Sequence, residues 1–423
     1  MISDRHLVPV KPALFADFDC PKCGGRKNEP RGTVFPGVNV LGSYRCGSCG
    51  LEFLRDLPVG FAVDHPLAIG TADGKLFNPA NAEAWLVAPL MEAYTEKNNA
   101  EVRIERRVLR ACTRVVILDT LDFLYGHVLL KLYNAQHYID AYPDLGTVII
   151  LPRMYEWLIP EGAAEVWLVD LKLSRMHAWY ERLDAFVRTR LAEYDEVYLA
   201  KGYAHPDFSR IDIARFTGIA PFPLAEFNTR APHITFVMRE DRLWHASPVG
   251  KFLHRACGKL GLGSTFGGWS LIAQDRLIRS TMFHIRAHVP EVTFTIVGLG
   301  IARKARSGIE DLRTDRMDAV IERSWCAAYA KSQIVIGVHG SNMLLPTAFA
   351  AGCIEILPHD RYGNVVQDIS VRWADRMQLF LYRFVDEFAS PRAVARHAAS
   401  MLHDFAHYHR NNRENTFEHV PRS

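Results

Sequence analysis

Short β-branched runs alternate with segments of helical period from about residue 113 onward. "RVVIL" (114–118), "TVIIL" (147–151), "EVWLV" (165–169) and "EVYLA" (196–200) have strand length and strand composition. Between the second pair, Trp179, Leu183, Phe186, Val187 and Leu191 recur at helical spacing. A second series follows: "HITFVMR" (233–239), "VTFTIVG" (292–298), "QIVIGV" (333–338) and "CIEIL" (353–357). Strands that alternate with helices predict parallel α/β sheets. The last helix is bounded by Ser390-Pro391, a cap and a first-turn proline, and shows one face of Val394, Ala398, Met401, Leu402 and Phe405. The polar, turn-rich "LAEFNTRAP" (224–232) reads as a linker between the two series, and residues 60–110 read as a connecting region.

Composition places this pattern in an ordinary globular protein. Of 423 residues, 49% are hydrophobic and 23% charged, and 50 basic residues against 47 acidic ones leave a formal charge of +3. That balance gives no case for a dedicated nucleic-acid binder. No apolar run approaches the length of a membrane span. "MISDRHLVPVKPALF" lacks the basic-then-apolar layout of a secretory signal, so a cytoplasmic chain is expected, with peripheral membrane attachment left open.

Eight cysteines change the picture near the N-terminus. "CPKCGG" and "CGSCGL" place Cys20, Cys23, Cys46 and Cys49 in two near-identical C-x-x-C pairs, separated by residues 24–45. Two such pairs at this spacing predict a structural zinc site of four thiolates, with no coordination position left for a catalytic water. Gly24 and Gly50 follow the pairs and suit the turn each knuckle needs. "TVFPGVNVLGSYRC" between them reads as a hairpin. A redox pair would open a helix after a strand, and neither pair is so placed. Cys112, Cys257, Cys326 and Cys353 lie among apolar residues and read as reduced core cysteines. The expected organisation is therefore a zinc-ribbon module (1–60), a Rossmann-like domain with its connecting region (61–228), and a second Rossmann-like domain (229–423). Ligands are expected beyond the carboxyl ends of the strands.

"IVIGVHGSNMLLPTAFAAGCIEILP" (334–358) carries the most specific chemistry. A buried strand ends in His339-Gly340-Ser341-Asn342. A helix is expected from about Met343 to Ala351, its first turn disturbed by Pro346, and Gly352 leads into the next strand. Gly340 admits a ligand close to the backbone, the helix start attracts a phosphate, and Ser341 or Asn342 can cap it. Glu355 interrupts an apolar strand and needs a partner, for which two ribose hydroxyls would serve; the plain alternative is that His339 and Glu355 are satisfied within the protein.

This stretch resembles the C-terminal motif of glycosyltransferase family 61 and related GT-B enzymes, in which a strand ends in His-Gly and a Glu-bearing strand closes the unit. "LYGHVLLKLYNAQHYIDAYPDLGTVIILP" (124–152) and "ITFVMREDRLW" (234–244) are similar to two further segments of that family. Family members commonly continue His-Gly with Ala-Gly-Leu-Thr-Asn, where this chain has Ser341-Asn342-Met343-Leu344-Leu345, and the cysteine module lies outside the family pattern. The resemblance implies a GT-B-like fold of two Rossmann-like domains. It implies an inverting sugar transfer, without bound metal, from a nucleotide-diphosphate sugar to a glycan, lipid-linked or protein acceptor. Arg239 and Arg242 would then stabilise the leaving diphosphate, Arg239 at the reacting centre, because a guanidinium fork suits phosphate. A base is also required: His127 is the first candidate, with Asp122 and Glu156 as alternatives. Two rival readings use other features. Gly298 and Gly300 form a Gly-x-Gly after a strand, as in an S-adenosylmethionine-dependent methyltransferase, and a zinc ribbon on an α/β body also suits a non-enzymatic adaptor.

Overall fold

The computed structural model describes residues 4–60, 65–77, 86–202, 210–260, 263–301, 307–366, 369–370, 372 and 377–414. The chain forms two compact units, Met1–Pro206 and Asp207–Ser423. The second unit thus takes in the 224–232 stretch that reads as a linker, together with residues before it.

The first unit holds two sheets. Its strands in chain order are β1 (Leu7–Lys11), β2 (Asn28–Val34), β3 (Leu41–Cys46), β4 (Glu52–Asp56), β5 (Ala68–Gly70), β6 (Leu76–Phe77), β7 (Ile104–Val108), β8 (Arg114–Asp119), β9 (Gly146–Pro152), β10 (Glu165–Val169) and β11 (Glu196–Ala200). The larger sheet runs β1-β11-β8-β9-β10-β7. Its four central strands, the runs read as strands from the sequence, are parallel; β1 and β7 close the edges antiparallel. The smaller sheet, β2-β3-β4-β5-β6, is an antiparallel meander.

The expected boundary at residue 60 falls inside this unit. The meander continues past it to Phe77, β1 belongs to the large sheet, and β7 turns part of the supposed connecting region into an edge strand. The reason is packing. Phe18, Phe35, Tyr44 and Phe53 from the cysteine segment share one apolar cluster with Val115, Ile117, Ile150 and Trp167 of the parallel sheet. Sixty residues with so few large apolar side chains cover themselves poorly, and the exposed face of a parallel sheet needs a lid.

The second unit holds β12 (His233–Met238), β13 (Thr293–Gly298), β14 (Ile309–Asp311), β15 (Ile334–Val338), β16 (Gly352–Leu357) and β17 (Tyr382–Asp386). All pair in parallel, in the order β14-β13-β12-β15-β16-β17. Counted within the unit this is 3-2-1-4-5-6, the doubly wound order of dinucleotide-binding folds. The helices Pro248–Lys259, Gly263–His288, Ala319–Tyr329 and Pro391–Glu414 are the longest of its described helices. Ser390 caps the last as its sequence requires, its Oγ accepting from the Ala393 amide at 3.2 Å.

Candidate functional site

The strand order of the second unit reverses between β12 and β15, and the arginines and the His-Gly turn both lie at that point. β12 leads into Arg239 and Arg242, and β15 leads into His339-Gly340. In open α/β sheets the strands on either side of a reversal send their connections to opposite faces, which leaves a crevice beyond their carboxyl ends. Residues about 100 positions apart meet there. Arg242 Nη1 donates to the His339 carbonyl at 2.7 Å. Arg239 donates through Nη1 to Asn342 Oδ1 and through Nε to Asp241 Oδ1 at 2.8 Å.

Gly340 makes this arrangement possible. Its φ is +149°, and a Cβ there would stand 2.1 Å from Arg239 Nη1 and 2.7 Å from Arg242 Nη1. Any side chain would collide with both guanidinium groups and strain the backbone. The glycine is thus the floor over which two cations lie side by side. The arginine loop is held from behind by Gln274, a buried residue that the sequence pattern does not single out: its Nε2 donates to the Arg239 carbonyl at 3.0 Å and its Oε1 accepts from the Trp244 amide at 2.8 Å.

Several expectations for this turn need correction. The helix after the tetrad is a 3-10 turn, Ser341–Met343, followed by only six α-helical residues, Leu344–Phe349. Neither Ser341 nor Asn342 caps it with a side chain; Asn342 Oδ1 serves Arg239 instead. So short a helix adds little dipole, and the positive charge here comes from the arginines. Glu355 is not available to a ribose. Both it and His339 are fully buried, and His339 Nδ1 hydrogen-bonds Glu355 Oε2 beneath the turn. The pair is an internal strut: the imidazole satisfies a carboxylate that would otherwise be costly inside the sheet.

A polar cavity of about 320 Å³ opens beside the turn at the ends of β15 and β16. Arg242, His245, Lys251, His254 and Arg255 supply its basic wall, and Asp241, Asp360 and Glu387 its acidic one. Lys251 pairs with Glu387. Burial, with the nearby charges of His254 and Lys251, pushes His245 down to about 4, so its imidazole is neutral at physiological pH. Sequence pattern does not mark these residues, because they come from an irregular loop and one face of the following helix.

Gly298 and Gly300 have a packing role. A Cβ on Gly298 would lie 2.2 Å from the Met238 carbonyl of β12, and the Gly300 amide donates to the Thr314 carbonyl at 2.8 Å. The Gly-x-Gly brings strand ends together and commits its Gly300 amide to the protein.

The first unit repeats the theme at its own reversal, between β8 and β11. The end of β8 carries Asp119 and Asp122, and the helix Tyr125–Ala141 opens with His127 in its first turn. Asp122 is fully buried, its Oδ1 accepting from the Leu124 amide at 3.0 Å and lying 3.4 Å from His127 Nδ1; its Oδ2 is 3.0 Å from Lys131 Nζ. Burial opposes its charge, yet Lys131 and His127 hold its pKa below the usual value. The His127 side chain keeps 21% of its surface exposed. Asp56 and Asp119 lie around the same lysine, and burial raises each to about 7. Glu156 stands apart: it belongs to a surface network with Arg107 at 2.6 Å and Arg153 at 3.7 Å.

The four cysteines converge. Their sulfurs all lie within 4.8 Å of one another, with Cys20–Cys49 at 3.8 Å and Cys23–Cys46 at 3.7 Å. Zinc–sulfur bonds of ~2.3 Å arranged tetrahedrally require sulfur separations of ~3.8 Å. The two knuckles are copies. The Cys20 amide donates to the Gly25 carbonyl and the Cys46 amide to the Leu51 carbonyl, both at 2.8 Å; Gly24 and Gly50 donate back to Cys20 and Cys46 at 2.9 and 2.8 Å. The Cys49 amide, with help from Ser48, draws the Cys46 thiol down to about 6. The donor set, spacing and backbone turns fit a tetrahedral zinc ion.

No protein-family profile and no curated protein matches the sequence. Among solved structures, the chain is similar to the ADP-heptose LPS heptosyltransferase II of E. coli, with 8% identity and a TM-score of 0.38, over 69% of this chain and 99% of that one. It is also similar to a glycosyl transferase family 9 protein of Veillonella parvula, with 9% identity and a TM-score of 0.39, over 70% and 99%. Neither is described as a family 61 enzyme. Likenesses this distant carry no argument about activity, and the architecture above rests on the chain's own strand order.

Proposed function

We propose that the second unit binds a nucleotide-diphosphate sugar and that the protein transfers the sugar to a hydroxyl-bearing acceptor (a glycan, a lipid-linked sugar or a protein), with inversion and without metal at the diphosphate. One observation carries the reading: two guanidinium groups lie across a side-chain-free Gly340 at the reversal of a doubly wound sheet. A dinucleotide fold of the usual kind presents a glycine-rich loop after its first strand; here that loop is "REDRLWHASP" and offers arginines. Fixed cations suit a leaving group whose negative charge grows in the transition state. Arg239 is assigned to the leaving diphosphate, and Arg242, Gly340, Ser341 and Asn342 to its binding. His339 and Glu355 are assigned to holding the turn in place. His127 remains the proposed base for the acceptor hydroxyl, with Asp122 orienting it.

Cys20, Cys23, Cys46 and Cys49 are proposed to hold one structural zinc ion, whose binding would stabilise the segment that covers the first sheet. Metal analysis should return about one zinc per chain, and Cys20→Ser with Cys23→Ser should lose it together with much of the first unit's stability. A metal-free protein of unchanged melting temperature would remove the zinc from the account.

Calorimetry with uridine, guanosine and adenosine diphosphates tests the main reading. One of them should bind, and Gly340→Ala should weaken it roughly 10–100-fold by pushing aside guanidinium groups whose charged hydrogen bonds contribute ~1.5–3 kcal/mol each. If none binds the wild type, the transferase reading falls and the adaptor reading takes its place.

A further inference from the structure

The helix Pro248–Lys259 packs inside out. Val249, Phe252, Leu253, Ala256 and Leu260 recur at helical spacing and fall on one arc, extended by Leu260 just beyond the helix end; Lys251, His254 and Arg255 fall on the opposite arc. In a surface helix of a globular protein the apolar arc would face the core. Here it faces solvent: Phe252 is 68% and Leu260 73% exposed, with Val249 and Leu253 also open. The polar arc faces the protein. Lys251 pairs with Glu387, His254 Nδ1 shares a hydrogen bond of 2.9 Å with Ser270 Oγ, and all three polar residues line the cavity beside the arginines.

The next helix, Gly263–His288, also turns large apolar side chains to solvent. Trp269, Ile272, Arg276 and Phe283 stand on one of its faces, and Trp269 and Phe283 are 65% and 71% exposed. An open apolar area of this kind marks a surface that meets something other than water. Charge says what. Apart from Lys251 and Arg255 of the inner arc, the chain between His245 and His288 has four basic residues, Lys259, Arg276, Arg279 and Arg286, against a single acid. That acid, Asp275, is buried and pairs with Arg279 and Arg313. Two copies of so basic a face would repel each other. A bilayer with anionic headgroups satisfies both halves of the pattern, taking the aromatic and aliphatic side chains at its acyl boundary and the arginines and lysine at its phosphates. Among the described residues no helix is long and apolar enough to cross a membrane, so the contact would be interfacial.

We propose that the helical hairpin of residues 248–288 docks the second unit onto the surface of a membrane that carries anionic lipid. The inference stands independently of the transferase reading. The inner face of the docking helix lines the polar cavity, so the membrane contact and that cavity share one rigid element.

Flotation of the full chain with vesicles tests the proposal. The wild type should float with vesicles of phosphatidylcholine and phosphatidylglycerol, much less with phosphatidylcholine alone, and less as salt rises. Phe252→Ser with Trp269→Ser should cut the partition at least roughly tenfold, since two large side chains no longer enter the interface. Lys259→Glu with Arg276→Glu should abolish the preference for anionic vesicles. Circular dichroism melts check that both variants are folded; if the serine variant melts early, the charge variant carries the test. Failure of the wild type to float with anionic vesicles would overturn the proposal, and so would flotation indifferent to both variants. Sedimentation showing a wild-type dimer that the serine variant splits would overturn it too, and would make the face an interface between copies of the chain.

Discussion

Each unit places a histidine–carboxylate pair at the reversal point of its sheet, and the two pairs are built for different work. In the second unit both partners, His339 and Glu355, are fully buried, and the pair props up a turn whose far side carries the arginines. In the first unit the carboxylate Asp122 is buried, but His127 keeps a fifth of its surface in solvent, and Asp122 has Lys131 as a second partner. A buried pair can position its neighbours but cannot exchange protons readily with a substrate. A pair with one exposed imidazole and one anchored carboxylate can do so, because the carboxylate fixes the ring and the ring reaches out. An imidazole and a carboxylate at the same topological position therefore separate into scaffold and reagent through burial.

The largest expected effect comes from breaking the buried pair. Glu355→Ala removes the carboxylate from an enclosed imidazole and opens a hole in a central strand. Chemical denaturation should show a loss of about 3–5 kcal/mol, the range for a broken buried pair. Any loss of donor binding should follow from that unfolding. A folded, fully stable Glu355→Ala protein with selectively weakened nucleotide binding would instead restore Glu355 as a ribose ligand and erase the contrast.

His127→Asn is the complementary change. Asp122 keeps Lys131 and the Leu124 amide, so the melting temperature should move little. Turnover with the identified donor and acceptor should fall ~10²–10⁴-fold, the usual worth of a general base, with KM for the donor nearly unchanged. An unchanged kcat would pass the role to another group, and Asp119, at the end of the same strand, would be the next to test.

The limits of sequence reading follow from the same geometry. The eight inner strands of the two sheets are legible, because a buried strand announces itself within five or six consecutive residues, whereas the parallel edge strands β14 and β17 of the second sheet go unread. The four cysteines are legible because each knuckle is local and repeated. The His-Gly turn is legible in position but not in function. That Gly340 serves two arginines, and that Glu355 lies under the turn, depends on β12 and β15 becoming neighbours, which no local window contains. Gln274, His245 and Lys251 are invisible for the same reason. The edge strands β1 and β7 escape notice because each is set by its partner: "LVPVK" has a central proline and "IERRV" is mostly charged, both tolerable only at a sheet edge.

The smallest effect sharpens the comparison from the side of Lys131. The first unit gathers Asp56, Asp119 and Asp122 around one lysine, so one cation serves three carboxyl groups. Asp122 takes the lysine directly, whereas burial raises Asp56 to about 7 despite the hydrogen bond from Asn39 at 3.0 Å. The sign of the linkage follows. Between the ordinary value of 3.8 and about 7, the unfolded chain gives up the Asp56 proton while the folded chain keeps it. The folded state then binds more protons, and Asp56 makes stability fall as pH rises through that window. Asp56→Asn removes this one contribution and keeps an oxygen for Asn39. Its stability relative to wild type should therefore climb from pH 4 to pH 8, with most of the change complete by pH 7. A difference that stays flat with pH would show that Asp56 ionises normally in the fold, and that Lys131 supports two carboxylates rather than one.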